Sequence, residues 1–569
     1  MIILLKGFYL ILTALGLFYP AILMYKSSKS LKTSSLVFVI GFFLYFSFTP
    51  ITIILGALSF IQIVFMIALN KELFKRKEKP TYITNTNRSN EKLYLESDLG
   101  TIEVSNPYRS ILVSGGAGAG KSKSVFYPFI RQFMQNEYAG VLYDFKSPEL
   151  SEFAYSKFKK NENSKIQFKV IDFKSPSKSN RCNPLSPRYI TKQAVAIEMA
   201  TVLINNLLPE SVKKRDFFTR SSISILAGSI WFLVKNFPNQ STLPHLISMV
   251  LEYPSSKLIE VVCSDKECAG MLSSIREAHE MKAEKQIAAV VGTLKMALSQ
   301  INIPEVFELM SADEVNLDLN NPEDPTFLCI GNDSTLSSTY GPVISLIIAC
   351  CIRQMNQPNK NPSVIMLDEL PTVYIGGLEQ LPATARSNKI STVLGFQDLS
   401  QLIDAYGNDK AQVLLSNAGN QFFGRSTNEK TAQMLTKLSG KHDVLYTSKS
   451  KGDNYGESSN SSSEGTTQSY QQRDRITTSD ILQLKPGEFV SMVADNQILP
   501  FFKIVRFSQL IDIEYKSLPE IARVENKSIE QFSSEIENLS LTEKQPELLL
   551  DSDEELKNSL GNNDFDFNL

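Results

Sequence analysis

The stretch "SGGAGAGKS", Ser114 to Ser122, constrains this chain more than any other, because it satisfies Gly-x4-Gly-Lys-Ser directly after the apolar run Ile111 to Val113. A glycine-rich turn at this place lets successive backbone N–H groups point inward around phosphate oxygens. Lys121 is then placed to reach the β and γ phosphates, and the Ser122 hydroxyl to hold Mg2+. Gly115, Gly116, Ala117, Gly118, Ala119, Gly120, Lys121, Ser122 and Lys123 are therefore the candidate nucleotide-binding residues.

A phosphate loop needs a second, acidic signature, and "SVIMLDEL" (Ser363 to Leu370) is an apolar strand ending in two carboxylates. Asp368 suits a Mg2+ site reached through water, and Glu369 suits polarisation of an attacking water. The alternative is a pair of surface acids after a core strand. The 247 residues from Lys121 to Asp368 far exceed one βαβ unit, so something is inserted between them. Strand-like runs at Ala139 to Lys146 and Ile166 to Lys174 give way to helical periodicity between about Thr191 and Met310. Strands resume at Thr326 to Gly331, Ser391 to Gln397 and Asn420 to Arg425, with two more after Gly487. The pattern predicts an α/β fold: a RecA-like P-loop nucleotide-binding domain over 105–190 and 317–510, carrying an all-α insertion over 191–316. Arg386, before the Ser391 strand, suits an arginine finger. Gln397, at its end, suits a γ-phosphate sensor, because open α/β sheets bind ligands at the carboxyl ends of their strands. A solvated arginine and a polar strand end are the plain alternatives.

Ahead of this domain, Met1 to Tyr25 and Leu36 to Leu69 are apolar runs longer than the roughly 18 residues that mark a membrane span. Residues 1–70 are read as N-terminal transmembrane helices, two or three in number, and 71–104 as a juxtamembrane linker. The cluster Lys71, Lys75, Arg76, Lys77 and Lys79 places the rest of the chain in the cytoplasm. The basic link at Lys26, Lys29 and Lys32 opposes a simple hairpin with that link outside. "ISILAGSIWFLV" (Ile223 to Val234) is too short to span and is expected to be a buried helix.

The whole chain carries a formal charge of -2, which excludes a global nucleic-acid signature. Its last 29 residues hold eight Asp or Glu against two Lys; short helical pieces are expected after about Ser508, and 511–569 is read as an acidic, flexible tail. The polar run Thr447 to Gln472 reads as a mobile loop. Six cysteines without a C-x-x-C pair point to reduced thiols and no zinc site.

The order of these motifs resembles the type IV coupling proteins, the TraG/TraD-like ATPases of conjugative DNA transfer. The resemblance rests on "SGGAGAGKSKS", "YDFKSPEL", "RCNPLSP", "RDFFTR", "YGPVISLIIACCIRQMN", "LDELP", "ARSNKISTVLGFQDLSQLIDAYG" and "NAGNQFFGR", covering about Ser105 to Phe507. It implies a homo-hexameric ring that binds ATP and Mg2+ between subunits, with Arg386 as a finger in trans and Gln397 as sensor. It further implies a multi-pass protein of the inner (cytoplasmic) membrane that docks on a type IV secretion channel and delivers a relaxase, within its relaxosome, together with DNA. That DNA would be held without sequence preference, with Lys213, Lys214, Arg215, Arg276, Lys282, Lys285 and Lys295 as candidate contacts. The acidic tail is expected to capture basic cargo. An FtsK-type DNA translocase, an ABC transporter, a GTPase and a nucleotide-switched cargo receptor are the alternatives. The first lacks its winged helix here, the second its full signature in the right order, and the third its Asn-Lys-x-Asp element.

Overall fold

The computed structural model describes residues 91–541, except 162–163, 215, 457–458, 512 and 523–526. The expected membrane anchor, most of the linker, Arg215 and the chain beyond 541 lie outside the described residues. Thirteen strands follow in chain order: β1 (Leu93–Ser97), β2 (Gly100–Val104), β3 (Ile111–Ser114), β4 (Ala139–Asp144), β5 (Gln167–Asp172), β6 (Thr326–Gly331), β7 (Ser363–Leu367), β8 (Ile390–Phe396), β9 (Asn420–Phe423), β10 (Lys441–Gly456), β11 (Ser459–Asp474), β12 (Glu488–Val493) and β13 (Lys503–Arg506). Nine of them form one sheet in the order β13-β12-β9-β3-β8-β7-β4-β6-β5. β9 through β5 in that order run parallel, and β12 and β13 close one edge antiparallel.

Both faces of a parallel sheet must be covered, and these strands alternate accordingly between two apolar cores. Leu112, Val141, Tyr143, Leu328, Ile330, Ile365, Leu367 and Leu394 point into one core. Ile111, Val113, Leu142, Phe327, Cys329, Val364, Met366 and Val393 point into the other. The second face is covered by the helices Tyr127–Gln135 and Glu149–Phe158 and by the β1-β2 hairpin.

Between β5 and β6 the described chain from Gln193 to Leu309 is helical. These helices share the first core with the sheet instead of closing a core of their own, since Met199, Leu226, Leu246 and Leu294 belong to the same cluster as Ile365 and Leu394. The segment expected as a short buried helix is part of the twenty-residue helix Phe217–Asn236. Among the described residues it is the one helix long and apolar enough to cross a membrane, yet 67% of its apolar window is buried inside the protein.

Three expectations need correction. The linker read over 71–104 contains β1 and β2, which bury Leu93, Leu95, Ile102 and Val104 and bridge from Ser97 to Phe507. The polar run read as a mobile loop is the hairpin β10-β11, paired without a break from Lys441↔Asp474 to Gly456↔Ser459. An isolated two-stranded ribbon pairs half of its backbone groups across the strands and leaves the other half to water, so its sequence shows no buried face to read as alternation. The tail read as flexible from 511 includes the helix Ile529–Leu541, which packs on Leu243–Glu252. Phe532 sits edge-on to His245 and Phe307, Tyr253 Oη donates to the Ile536 carbonyl at 3.0 Å, and Phe532 and Ile536 are 1% exposed.

All six cysteines are free thiols, and five of them are buried.

Candidate active site

The Gly-rich turn leaves the end of β3 at the carboxyl edge of the sheet and enters a helical segment at Ser122, one turn of π-helix that continues as Tyr127–Gln135. Gly118 and Gly120 have φ of 77° and 95°, a region that side-chained residues avoid. Space is as strict as torsion at Gly120, where a Cβ would meet the Gly487 nitrogen at 2.8 Å. Three backbone bonds fix the turn: Gly116 N–H to the Arg425 carbonyl, Ala119 N–H to Gly116, and Gly487 N–H to Ala119, at 2.8–3.0 Å. Gly115 N–H donates to Phe396, and the Lys123 carbonyl accepts from Leu510. Ala117 and Gly118 form the exposed crown. The first N–H groups of a helix have no partner inside it, so this helix start offers donors to an anion.

β7 ends beside the turn, and the two signatures meet. Lys121 Nζ donates to the Asp368 carbonyl at 3.0 Å and lies 3.5 Å from both Asp368 Oδ1 and Glu369 Oε2. Glu369 Oε1 accepts the Gln397 backbone N–H at 3.2 Å. Burial pushes the Glu369 carboxyl above its ordinary range, a shift that Lys121 opposes and neighbouring Asp368 reinforces. Asp368 Oδ1 is buried and accepts no hydrogen bond. Asp368 Oδ1, which faces the Lys121 ammonium at 3.5 Å, is a hard oxygen donor of the kind Mg2+ prefers, and with the hydroxyl of Ser122 it has the chemistry to hold such an ion. Behind Glu369, Thr372 Oγ1 donates to the Glu369 carbonyl at 2.7 Å and is bonded to Tyr143 Oη. An open cleft of about 700 Å3 leads from Glu369 and Gln397 to Asn206 and Lys213 in the helical segment and to Asp404 in the helix Leu399–Tyr406.

Arg386 is not brought to this site. It is exposed and precedes β8, whereas the glycine turn follows β3 at the other end of the same parallel sheet, with Ser114 paired to Phe396. Seven residues of β8 put on the order of 20 Å between the two ends. Of the candidate DNA contacts, Lys213, Lys214, Arg276, Lys282 and Lys285 are exposed. Lys295 is a correction: half-buried, its ammonium donates to the Leu251 and Tyr253 carbonyls at 2.9 and 2.7 Å, capping a helix end.

Gly487, Gln509 and Arg425 were not singled out in the sequence, yet all three adjoin the turn. Arg425 alone carried a signal, as the last residue of a strand-like run whose carboxyl end lies on the ligand side.

A profile of the family described as "Type IV secretory system Conjugative DNA transfer" matches residues 69–548. Coupling protein TraD of Escherichia coli (strain K12) is 24% identical over 288 residues, which are 48% of this chain and 39% of TraD. This chain thus spans well under half the length of that relative. The fold is similar to that of the bacterial conjugative coupling protein TrwB in its unbound form, with a TM-score of 0.55 and 16% identity over 76% of this chain and 90% of that one. TrwB in complex with ADP and Mg2+ gives a TM-score of 0.51 at 16% identity, covering 73% and 87% of the two chains. The profile takes in every strand described above and the whole glycine-turn site, and the chain belongs to the type IV secretory system conjugative DNA-transfer family.

Proposed function

We propose that this protein is the coupling ATPase of a conjugation apparatus, which recruits a relaxase with its DNA and uses ATP hydrolysis to drive them into a type IV secretion channel. In this reading 105–190 and 317–510 are a RecA-like motor, 191–316 is its all-α insertion domain, and 1–70 spans the inner membrane more than once. The observation that carries it is the meeting of Lys121 with Asp368 and Glu369 across 247 residues of sequence, in a buried pocket at the carboxyl edge of the sheet.

The residues divide the work as follows. Lys121 leaves the acids for the β and γ phosphates, and the helix-start N–H groups bind the remaining phosphate oxygens. Glu369, released from the ammonium and held by the Gln397 N–H, orients the attacking water and accepts its proton; its raised proton affinity suits that task. Ser122 and Asp368 would hold Mg2+, which would supply charge neutralisation on the phosphates. Arg386 faces away from its own site and is assigned to the neighbouring subunit of a homo-hexameric ring, where it stabilises the transferring phosphoryl group. A general base in place favours turnover over a receptor that merely switches on nucleotide binding.

The test is ATP hydrolysis by the full-length protein in detergent, with and without DNA. Turnover that needs Mg2+, disappears in Lys121→Ala and Glu369→Gln, and rises with DNA at low salt is the expected result. Nucleotide binding without hydrolysis in the unaltered protein would overturn the motor reading in favour of the switch.

A further inference from the structure

Phe217 and Phe218 open the helix Phe217–Asn236 with their rings in water, 48% and 42% exposed and edge-to-face at 5.6 Å. The helix start is not frayed. The Asp216 carboxylate caps it, accepting the Thr219 N–H at 2.7 Å, and Thr219, Ser221 and Ser222 are buried directly behind the rings. Two adjacent aromatic side chains are therefore presented to solvent from a capped helix start. Around them the exposed charges are Lys213, Lys214 and Arg220 against Glu210 and Asp216, with Lys213 paired to Asp404 at 2.7 Å. Charge around the rings is balanced, three basic groups against Glu210, Asp216 and Asp404, so it is Lys214 and Arg220 in particular that offer contacts to the phosphates of a strand whose bases meet the aromatic faces.

Ser211, six residues before the aromatic pair, is linked by hydrogen bonds toward the segment that carries Glu369. Ser211 Oγ donates to Asn205 Oδ1 at 2.9 Å. The adjacent Asn206 clasps Tyr374, donating to its carbonyl and accepting its N–H, both at 2.8 Å. Two residues before Tyr374, Thr372 donates to the carbonyl of Glu369. The cleft that contains Glu369 and Gln397 is lined at its far end by Pro209, Val212 and Lys213.

We propose that Phe217 and Phe218 are a stacking platform for the bases of a single nucleic-acid strand, and that the Asn206 clasp passes occupancy of that platform to the segment carrying Glu369. The proposal rests on the DNA-motor reading and adds to it which residues grip the strand and why a single strand is preferred. Bases in a duplex are stacked on one another and offer no free face, whereas an unpaired base of any identity does.

The test uses the full-length protein in detergent and a short oligonucleotide containing 2-aminopurine, whose fluorescence reports stacking. The unaltered protein is expected to change that fluorescence on binding the single strand, and the strand to raise ATP turnover more than a duplex does. In Phe217→Ala/Phe218→Ala the fluorescence change is lost, single-strand affinity falls roughly tenfold or more, and turnover without nucleic acid is unchanged. Phe217→Tyr/Phe218→Tyr restores both signals. A double-alanine variant that binds the strand as tightly and with the same fluorescence overturns the platform while leaving the motor intact. Unchanged strand binding with an altered particle size assigns the rings to a subunit contact and likewise overturns it. An unaltered protein indifferent to every nucleic acid overturns the motor reading and the platform together.

Discussion

Glu369 illustrates how a single side chain sets a measurable profile. Its carboxyl is held above the ordinary range chiefly by burial, and a base must be ionised to act. The acid limb of kcat/KM, which reports the free enzyme, therefore lies above the usual glutamate value, with the rate falling as pH drops through it. A limb at or below that value in steady-state assays contradicts the assignment. Asp144 shows the same physics in stability. Fully buried, with Oδ2 accepting the N–H and Oγ of Ser151 and Oδ1 accepting no hydrogen bond, it is pushed up to about 7. The folded chain keeps a proton that the unfolded chain releases from about pH 4 upward, so this contribution to stability is present at low pH and is lost between about 4 and 7. Asp144→Asn, neutral throughout and able to keep both Ser151 bonds, is expected to raise the melting temperature at pH 8 and leave it nearly unchanged at pH 4.5. Lys121 was legible through its glycine motif, and Asp368, Glu369 and Gln397 as polar residues at the ends of apolar runs. Gly487 and Gln509 were not, since what they give the turn is backbone contact and fit. The Lys295 side chain could be read for its charge but not for the carbonyls that claim it.

Among the elements, the strands of the main sheet were legible because each is short, apolar and bounded by turn residues. β1-β2, β10-β11 and the docking of Ile529–Leu541 escaped, the last two for opposite causes. β10-β11 buries too little for its sequence to alternate, and Leu445, Tyr446 and Tyr470 along it are exposed. The helix Ile529–Leu541 is amphipathic, but its composition merges with the acidic run that follows, and only its partner reveals which face is buried. Phe532 is the anchor of that docking. Phe532→Ala removes a fully buried ring at a cost of about 3–5 kcal/mol, enough to release the helix. Limited proteolysis is expected to cut the variant near this helix well before the unaltered protein, with ATP turnover the same in both. The contact also depends on pH. His245 Nε2 lies 3.0 Å from Glu535 Oε2, and burial lowers the proton affinity of the imidazole. Docking is thus favoured above the ordinary histidine value and weakened as pH falls below it, with Glu535 limiting the loss.

Over the whole molecule, the helical segment enters and leaves between β5 and β6, at the sheet edge remote from β12 and β13, yet shares the core that supports β7 and β8. Motion of the helices and geometry at Glu369 are therefore mechanically joined. With a net charge of -2, attraction to DNA has to come from local clusters. Stimulation by DNA is expected to fall steeply between about 50 and 200 mM salt while basal turnover holds; a salt-independent stimulation argues against phosphate contacts. The separation of Arg386 from its own glycine turn has a consequence that can be read in genetics. A gene whose product completes its neighbour's site does not behave as a simple null when mutated. On the proposed trans role of Arg386, Lys121→Ala would keep a working Arg386 and Arg386→Ala a working pocket, so a cell carrying both defective alleles would assemble some sites from one sound half of each. Such a merodiploid is expected to regain part of the DNA transfer that either allele alone abolishes, whereas two alleles both altered at Lys121 regain none.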